Sequence, residues 1–184
     1  LIGFAIYQLL PAQRDNVRLT KAAPWVLLGA VANIIWIFLW HYNQFALTLP
    51  AMLTLLASLI GTYLVLGIGV KPATTVEKLL VNTPFSIYLG WITVATIANA
   101  TQVLFFYNWD GFGLAPAVWA AVMLAAAVIV GGLMTFTRRD TAYLLVLIWA
   151  IVGIALKFPA EPVVYISSWA AVGVLTAFVV YTLV

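Results

Sequence analysis

The feature that most constrains this chain is where its charge sits. Long apolar runs alternate with short connections, and seven of the eight Lys and Arg residues fall in every second connection. Arg14, Arg18 and Lys21 follow the first run, Lys71 and Lys78 the third, and Arg138 and Arg139 the fifth, while the other connections hold only Lys157. Ionised side chains are costly in hydrocarbon, so runs this long and this free of charge read as membrane-spanning helices. Basic residues flanking spans stay on the cytoplasmic side, so the alternation also gives each span a direction. It places the start of the first run outside and the end of the last run in the cytoplasm.

Composition supports the same solvent. Hydrophobic residues make up 66% of the chain and charged residues 7%, against about 45–50% and about 25% in soluble domains. A soluble fold of 184 residues could not hide that much apolar surface. The net charge of +3 follows from topology, and no basic cluster is interleaved with exposed aromatics, so nucleic acid is not an expected partner. The chain has no cysteine, which removes disulfides, thiolate metal sites and cysteine nucleophiles together. Its single histidine, His41, excludes a multi-histidine metal site and is read as an interfacial group meeting water or headgroups.

The expected fold is an all-α integral membrane protein, a bundle of about seven transmembrane helices forming a single transmembrane helical domain over residues 1–184. The first span, residues 1–10, is partial, since ten residues rise only about 15 Å as a helix, half of a hydrocarbon core. The others are expected over residues 24–42, 47–70, 84–107, 116–136, 142–157 and 163–184, the sixth being short. Pro24, Pro84, Pro116 and Pro162 are each expected at or just before a helix start, where proline sacrifices no hydrogen bond. Between Lys71 and Thr83 an amphipathic stretch is expected along the cytoplasmic surface, with Thr74 and Glu77 at capping-box spacing. Trp25, Tyr143 and Tyr181 are expected at the inner interface, and Trp40, Tyr42 and Trp109 at the outer one.

Seven spans with an outer amino end match a rhodopsin in topology but not in chemistry. The last run, residues 163–184, has no lysine for a Schiff base, and no span carries Asp or Glu near its middle. Ion-coupled transport needs such groups as well. The polar groups at depth are amides and hydroxyls. Gly29, Asn33, Trp36 and Trp40 share one face of the second span, and Tyr88, Trp91, Ala95, Asn99, Gln102 and Phe106 form a similar stripe on the fourth, with Thr93 and Thr96 beside it. Asn33, Asn99 and Gln102 must face protein or a ligand, either as interhelical glue or as the polar floor of an aromatic-walled pocket. Gly131-Gly132 and Ala125-Ala126-Ala127 make the fifth helix slim enough for close packing.

Two motifs carry a resemblance. Asn33-x-x-Trp36-x-x-Leu39-Trp40 is similar to the third helix of the tryptophan-rich sensory protein (translocator protein, TspO/MBR) family. Pro84 followed by Trp91, Ala95-Thr96 and Asn99 resembles that family's fifth helix. The resemblance covers residues 24–107 and leaves residues 116–184 as three additional helices; it also implies a complete protein of eight spans. Members are small helical membrane proteins that bind porphyrins, sterols and synthetic aromatic ligands. By matched position, Asn33, Trp36, Trp91, Ala95 and Asn99 would line or support the ligand cavity.

The resemblance implies a non-enzymatic sensory protein of a bacterial inner membrane, holding a tetrapyrrole, carotenoid or sterol. The alternative is an accessory structural subunit of a larger membrane assembly, such as a photosynthetic reaction-centre or light-harvesting complex, with other membrane subunits or pigments as partners. No paired acid and base, and no nucleophile with a base, points to an enzyme. The orientation has a direct test, because the chain carries no cysteine of its own. In sealed right-side-out vesicles an impermeant maleimide is expected to label Ala160→Cys and to spare Ala73→Cys.

Overall fold

A backbone N–H in hydrocarbon must find its acceptor within its own helix, which leaves little room for irregular chain. The computed structural model describes residues 1–184 and contains no β-strand. Its helices are α1 (Ile2–Leu9), α2 (Val17–His41), α3 (Phe45–Leu66), α4 (Thr75–Phe106), α5 (Pro116–Arg138), α6 (Thr141–Lys157) and α7 (Pro162–Leu183). Short 3-10 turns occupy Pro11–Gln13 and Gly111–Gly113. Helices α2, α3, α4, α5 and α7 are long and apolar enough to cross a membrane, and all leave most of their apolar surface uncovered. Lipid is the solvent that suits such surfaces. The protein is an all-α multi-span membrane protein, and α6 is the short helix its sequence predicts.

Helix starts depart from expectation at two prolines. Helix α2 begins at Val17, not at Pro24, because Asn16 caps it: the Asn16 side-chain oxygen accepts from the N–H groups of Arg18 and Leu19 at 3.1 and 3.4 Å. Those are donors that a helix start leaves unsatisfied. Pro24 then lies inside the helix. Pro84 also lies within a continuous helix. The capping box at Thr74 forms as expected, with Glu77 N–H donating to Thr74 Oγ1 at 3.2 Å and Thr74 N–H donating to Glu77 Oε2 at 3.0 Å. The stretch expected along the surface is therefore the opening of α4, joined to the rest by a π turn at Lys78–Asn82. A π turn shifts hydrogen bonding to i→i+5, and Thr83 N–H reaches Lys78 O across it. That wider turn accommodates Pro84, which has no N–H to offer. Pro116 and Pro162 do open α5 and α7.

Two ends follow from backbone conformation. Helix α3 stops at Leu66, short of the expected residue 70, because Gly67 turns left-handed at φ 69° and Ile68 N–H reaches back to Tyr63 O. Helix α5 stops where Arg139 takes the same conformation at φ 49°. Asp140 then caps α6 by accepting from Tyr143 N–H at 3.1 Å.

The chain forms two compact units, Leu1–Ile92 and Thr93–Val184. In the first, α2 packs along α3. A Cβ added at Gly29 would lie 2.6 Å from Ser58 Oγ, and one at Gly61 would lie 2.5 Å from the Trp25 ring. Met52, Leu55, Leu59 and Tyr63 are buried beside Ser58 and Thr62, whose hydroxyls donate to the carbonyls of Leu55 and Ser58. Internal bonds of this kind let a hydroxyl sit in an apolar contact. In the second unit α7 packs on α5 and α6, burying Leu144, Leu147, Ile151 and Leu175. A Cβ at Gly131 would lie 2.5 Å from Leu175 Cδ2, so the slim face predicted for α5 is where α7 approaches. Overpacking such contacts costs about 1–3 kcal/mol. Gly29→Val and Gly131→Val are each expected to lower the thermal unfolding midpoint in detergent, while Gly153→Ala, on an open helix face, serves as a surface comparison.

Candidate functional site

The second-span motif lies on one face of α2. Asn33 and Trp36 are both half-buried, one turn apart. The Trp36 ring lies 5.5 Å from Trp40 at an interplanar angle of 30°, and Trp40 meets Phe45 at the start of α3 edge-on at 5.3 Å. The result is a ladder of aromatic rings with an amide at one end. Such faces attract flat π-systems and apolar rings alike. His41 is exposed at the end of α2, with its ring edge-on to Tyr42 at 5.2 Å.

The second motif lies along α4. Trp91 is 45% exposed, Ala95 is half-buried and Asn99 is 2% exposed, so burial deepens from the indole to the amide along a single stripe. Gln102 is half-buried further along, and Phe106 is exposed. Asn33, Trp36 and Trp91 belong to the first compact unit, whereas Ala95 and Asn99 belong to the second. Beside this stripe Thr93 accepts a hydrogen bond from the Tyr143 hydroxyl at 3.0 Å. Tyr143 was expected as a ring at the inner interface. It is instead 1% exposed, because its hydroxyl finds a partner inside the protein. Trp25 and Tyr181 remain exposed, and the Tyr181 ring lies under the Arg139 guanidinium at 5.5 Å.

A polar cluster that the sequence did not announce lies where α1 ends and α2 and α4 begin. Arg18 pairs with Glu77 at 2.6 Å, joining residues far apart in the chain. The signal was present, since both lie in connections predicted for the same side of the membrane. Sequence assigned one to topology and the other to a cap, and had no distance with which to pair them. An open concavity of about 600 Å³ lies beside this pair, lined by Tyr7, Leu10, Ala12, Gln13, Asp15 and Asn16 together with Thr74, Val76 and Glu77.

Apolar helices with an Asn-x-x-Trp face and a Trp-x-x-x-Ala-Thr-x-x-Asn stripe define what the chain can be compared with. The family model described as TSPO-like protein matches residues 1–181. The chain belongs to the TSPO-like protein family. The match takes in the three helices after Pro116 as well as the residues 24–107 that carry the motifs. No curated protein and no solved structure matches the chain.

Within this TSPO-like chain the Thr93–Tyr143 bond is a side-chain link between α4 and α6. A net hydrogen bond contributes about 0.5–1.5 kcal/mol. Tyr143→Phe and Thr93→Val are each expected to lower the unfolding midpoint, with the double variant losing less than the two losses added. Equal additivity in a thermal double-mutant cycle would show that the two groups do not act as a pair.

Proposed function

We propose that this TSPO-like protein binds a flat apolar ligand, a tetrapyrrole, carotenoid or sterol, through the aromatic and amide faces of α2 and α4, and that it acts by binding rather than by catalysis. The observation that carries the reading is the Trp36–Trp40 ring pair set one turn from the Asn33 amide. A planar ligand gains dispersion and stacking against indole faces, and an amide gives it one oriented hydrogen bond in a medium where few others are available. Trp91, nearly half exposed on α4, offers a second indole. Family membership supports the same choice, and the expected setting is a bacterial inner membrane.

Binding is expected to be visible in the protein's own fluorescence. Protoporphyrin added to the purified chain should quench tryptophan emission saturably. Trp36→Phe and Trp91→Phe should each weaken binding about tenfold, the change that about 1.4 kcal/mol of lost contact gives. Linear, non-saturating quenching that both variants share would sink the proposal.

A further inference from the structure

The concavity at the end of α1 has properties that neither packing nor the aromatic faces explain. Tyr7 is 5% exposed, yet its hydroxyl makes no hydrogen bond to any protein group. It lies in the field of the Glu77 carboxylate and the Arg18 guanidinium. Tyr7 also lines both the open concavity and a small cavity behind it of about 10 Å³, the room one water takes. The Tyr7 ring is buried while its hydroxyl oxygen stays open to the concavity, where it is available to whatever enters.

The other polar groups there are mostly engaged. Glu77 Oε1 accepts from Arg18 at 2.6 Å, and Glu77 Oε2 accepts from the Thr74 N–H at 3.0 Å. Asn16 Oδ1 caps α2, and Asn16 Nδ2 donates to Gln13 Oε1 at 2.8 Å. Asp15 is the exception: it lines the concavity, is exposed, and has neither a hydrogen bond nor an ion pair. No cation lines the open concavity to answer it. Leu10, Ala12 and Val76 supply an apolar wall between these groups. The site therefore presents an exposed, unpaired carboxylate, an open hydroxyl on a buried ring and a hydrophobic surface, at helix ends where bilayer headgroups are found.

We infer that this concavity binds the primary ammonium of an amphiphile. Asp15 accepts its N–H groups, Tyr7 hydrogen-bonds the polar atoms next to the ammonium, and the apolar body rests on Leu10, Ala12 and Val76. Charge-assisted hydrogen bonds to a carboxylate are stronger than neutral ones and depend on N–H donors, which a quaternary ammonium lacks. The ammonium can arrive on an aminophospholipid or on a free amphipathic amine. The site is separate from the indole faces of α2 and α4, so it stands or falls independently of the proposed flat ligand.

The test uses the delipidated full-length chain in a sugar detergent, with bound lipid counted by native mass spectrometry. Dioleoylphosphatidylethanolamine is expected to bind about tenfold more tightly than dioleoylphosphatidylcholine. Asp15→Asn should erase that preference without lowering the unfolding midpoint, since the side chain is exposed and unpaired. Tyr7→Phe, which keeps the ring, should weaken the ethanolamine lipid while leaving the choline lipid unchanged. If dodecylamine displaces the ethanolamine lipid, a free amine can be the occupant. If it does not while the Asp15 dependence persists, the occupant is the phospholipid. Equal binding of the two lipids by the unaltered chain overturns the inference, as does an undiminished preference in Asp15→Asn or stronger displacement by phosphatidylglycerol.

Discussion

Everything in this protein rests on the requirement that backbone amides in hydrocarbon be satisfied locally. Side chains are free to be apolar because the helices close their own hydrogen bonds, and polar side chains are needed chiefly where that closure fails, at helix ends. Asn16, Thr74 with Glu77, and Asp140 each serve that need with a side-chain oxygen aimed at open N–H groups. Even the hydroxyls in mid-helix follow the rule. Ser58, Thr62 and Thr135 turn inward and donate to carbonyls in the preceding turn.

With the backbone satisfied, packing becomes a question of how closely helices approach. Lipid tails are as apolar as leucine, so hydrophobic burial does little to favour one helix neighbour over lipid. Close contact through small residues does. Gly29 and Gly61 admit α2 to α3 in one unit, and Gly131 admits α7 to α5 in the other. Aromatic rings share that contact, with Trp25 set against Gly61 and Trp40 against Phe45, while Trp36 and Trp40 pair along one face of α2.

The spans were largely legible in the sequence because their signal is cumulative: many apolar residues, few charges and short connections. Their boundaries were less so. Pro24 looks like a helix start by residue type, but Asn16 outweighs it by capping donors earlier in the chain. Gly67 ended α3 inside an apolar run that gave no sign of stopping. For the candidate site, the positions on each helix face could be read from spacing. The burial gradient from Trp91 to Asn99 and the inward turn of Tyr143 could not, since both depend on neighbours that spacing does not specify. The Arg18–Glu77 pair could be placed on one side of the membrane but not paired, for the same reason.

The π turn at Lys78–Asn82 does more than admit a proline. A π turn accommodates one residue more than an α turn, which rotates everything after it by about 100° relative to an unbroken helix. The two ends of α4 thus keep separate phases. Glu77 can stay locked against Arg18 while the direction of Trp91 is set on its own terms. A single residue gained or lost at this turn would re-aim Trp91 and leave the capped end where it is, so the turn acts as an indexing joint between the polar anchor and that indole.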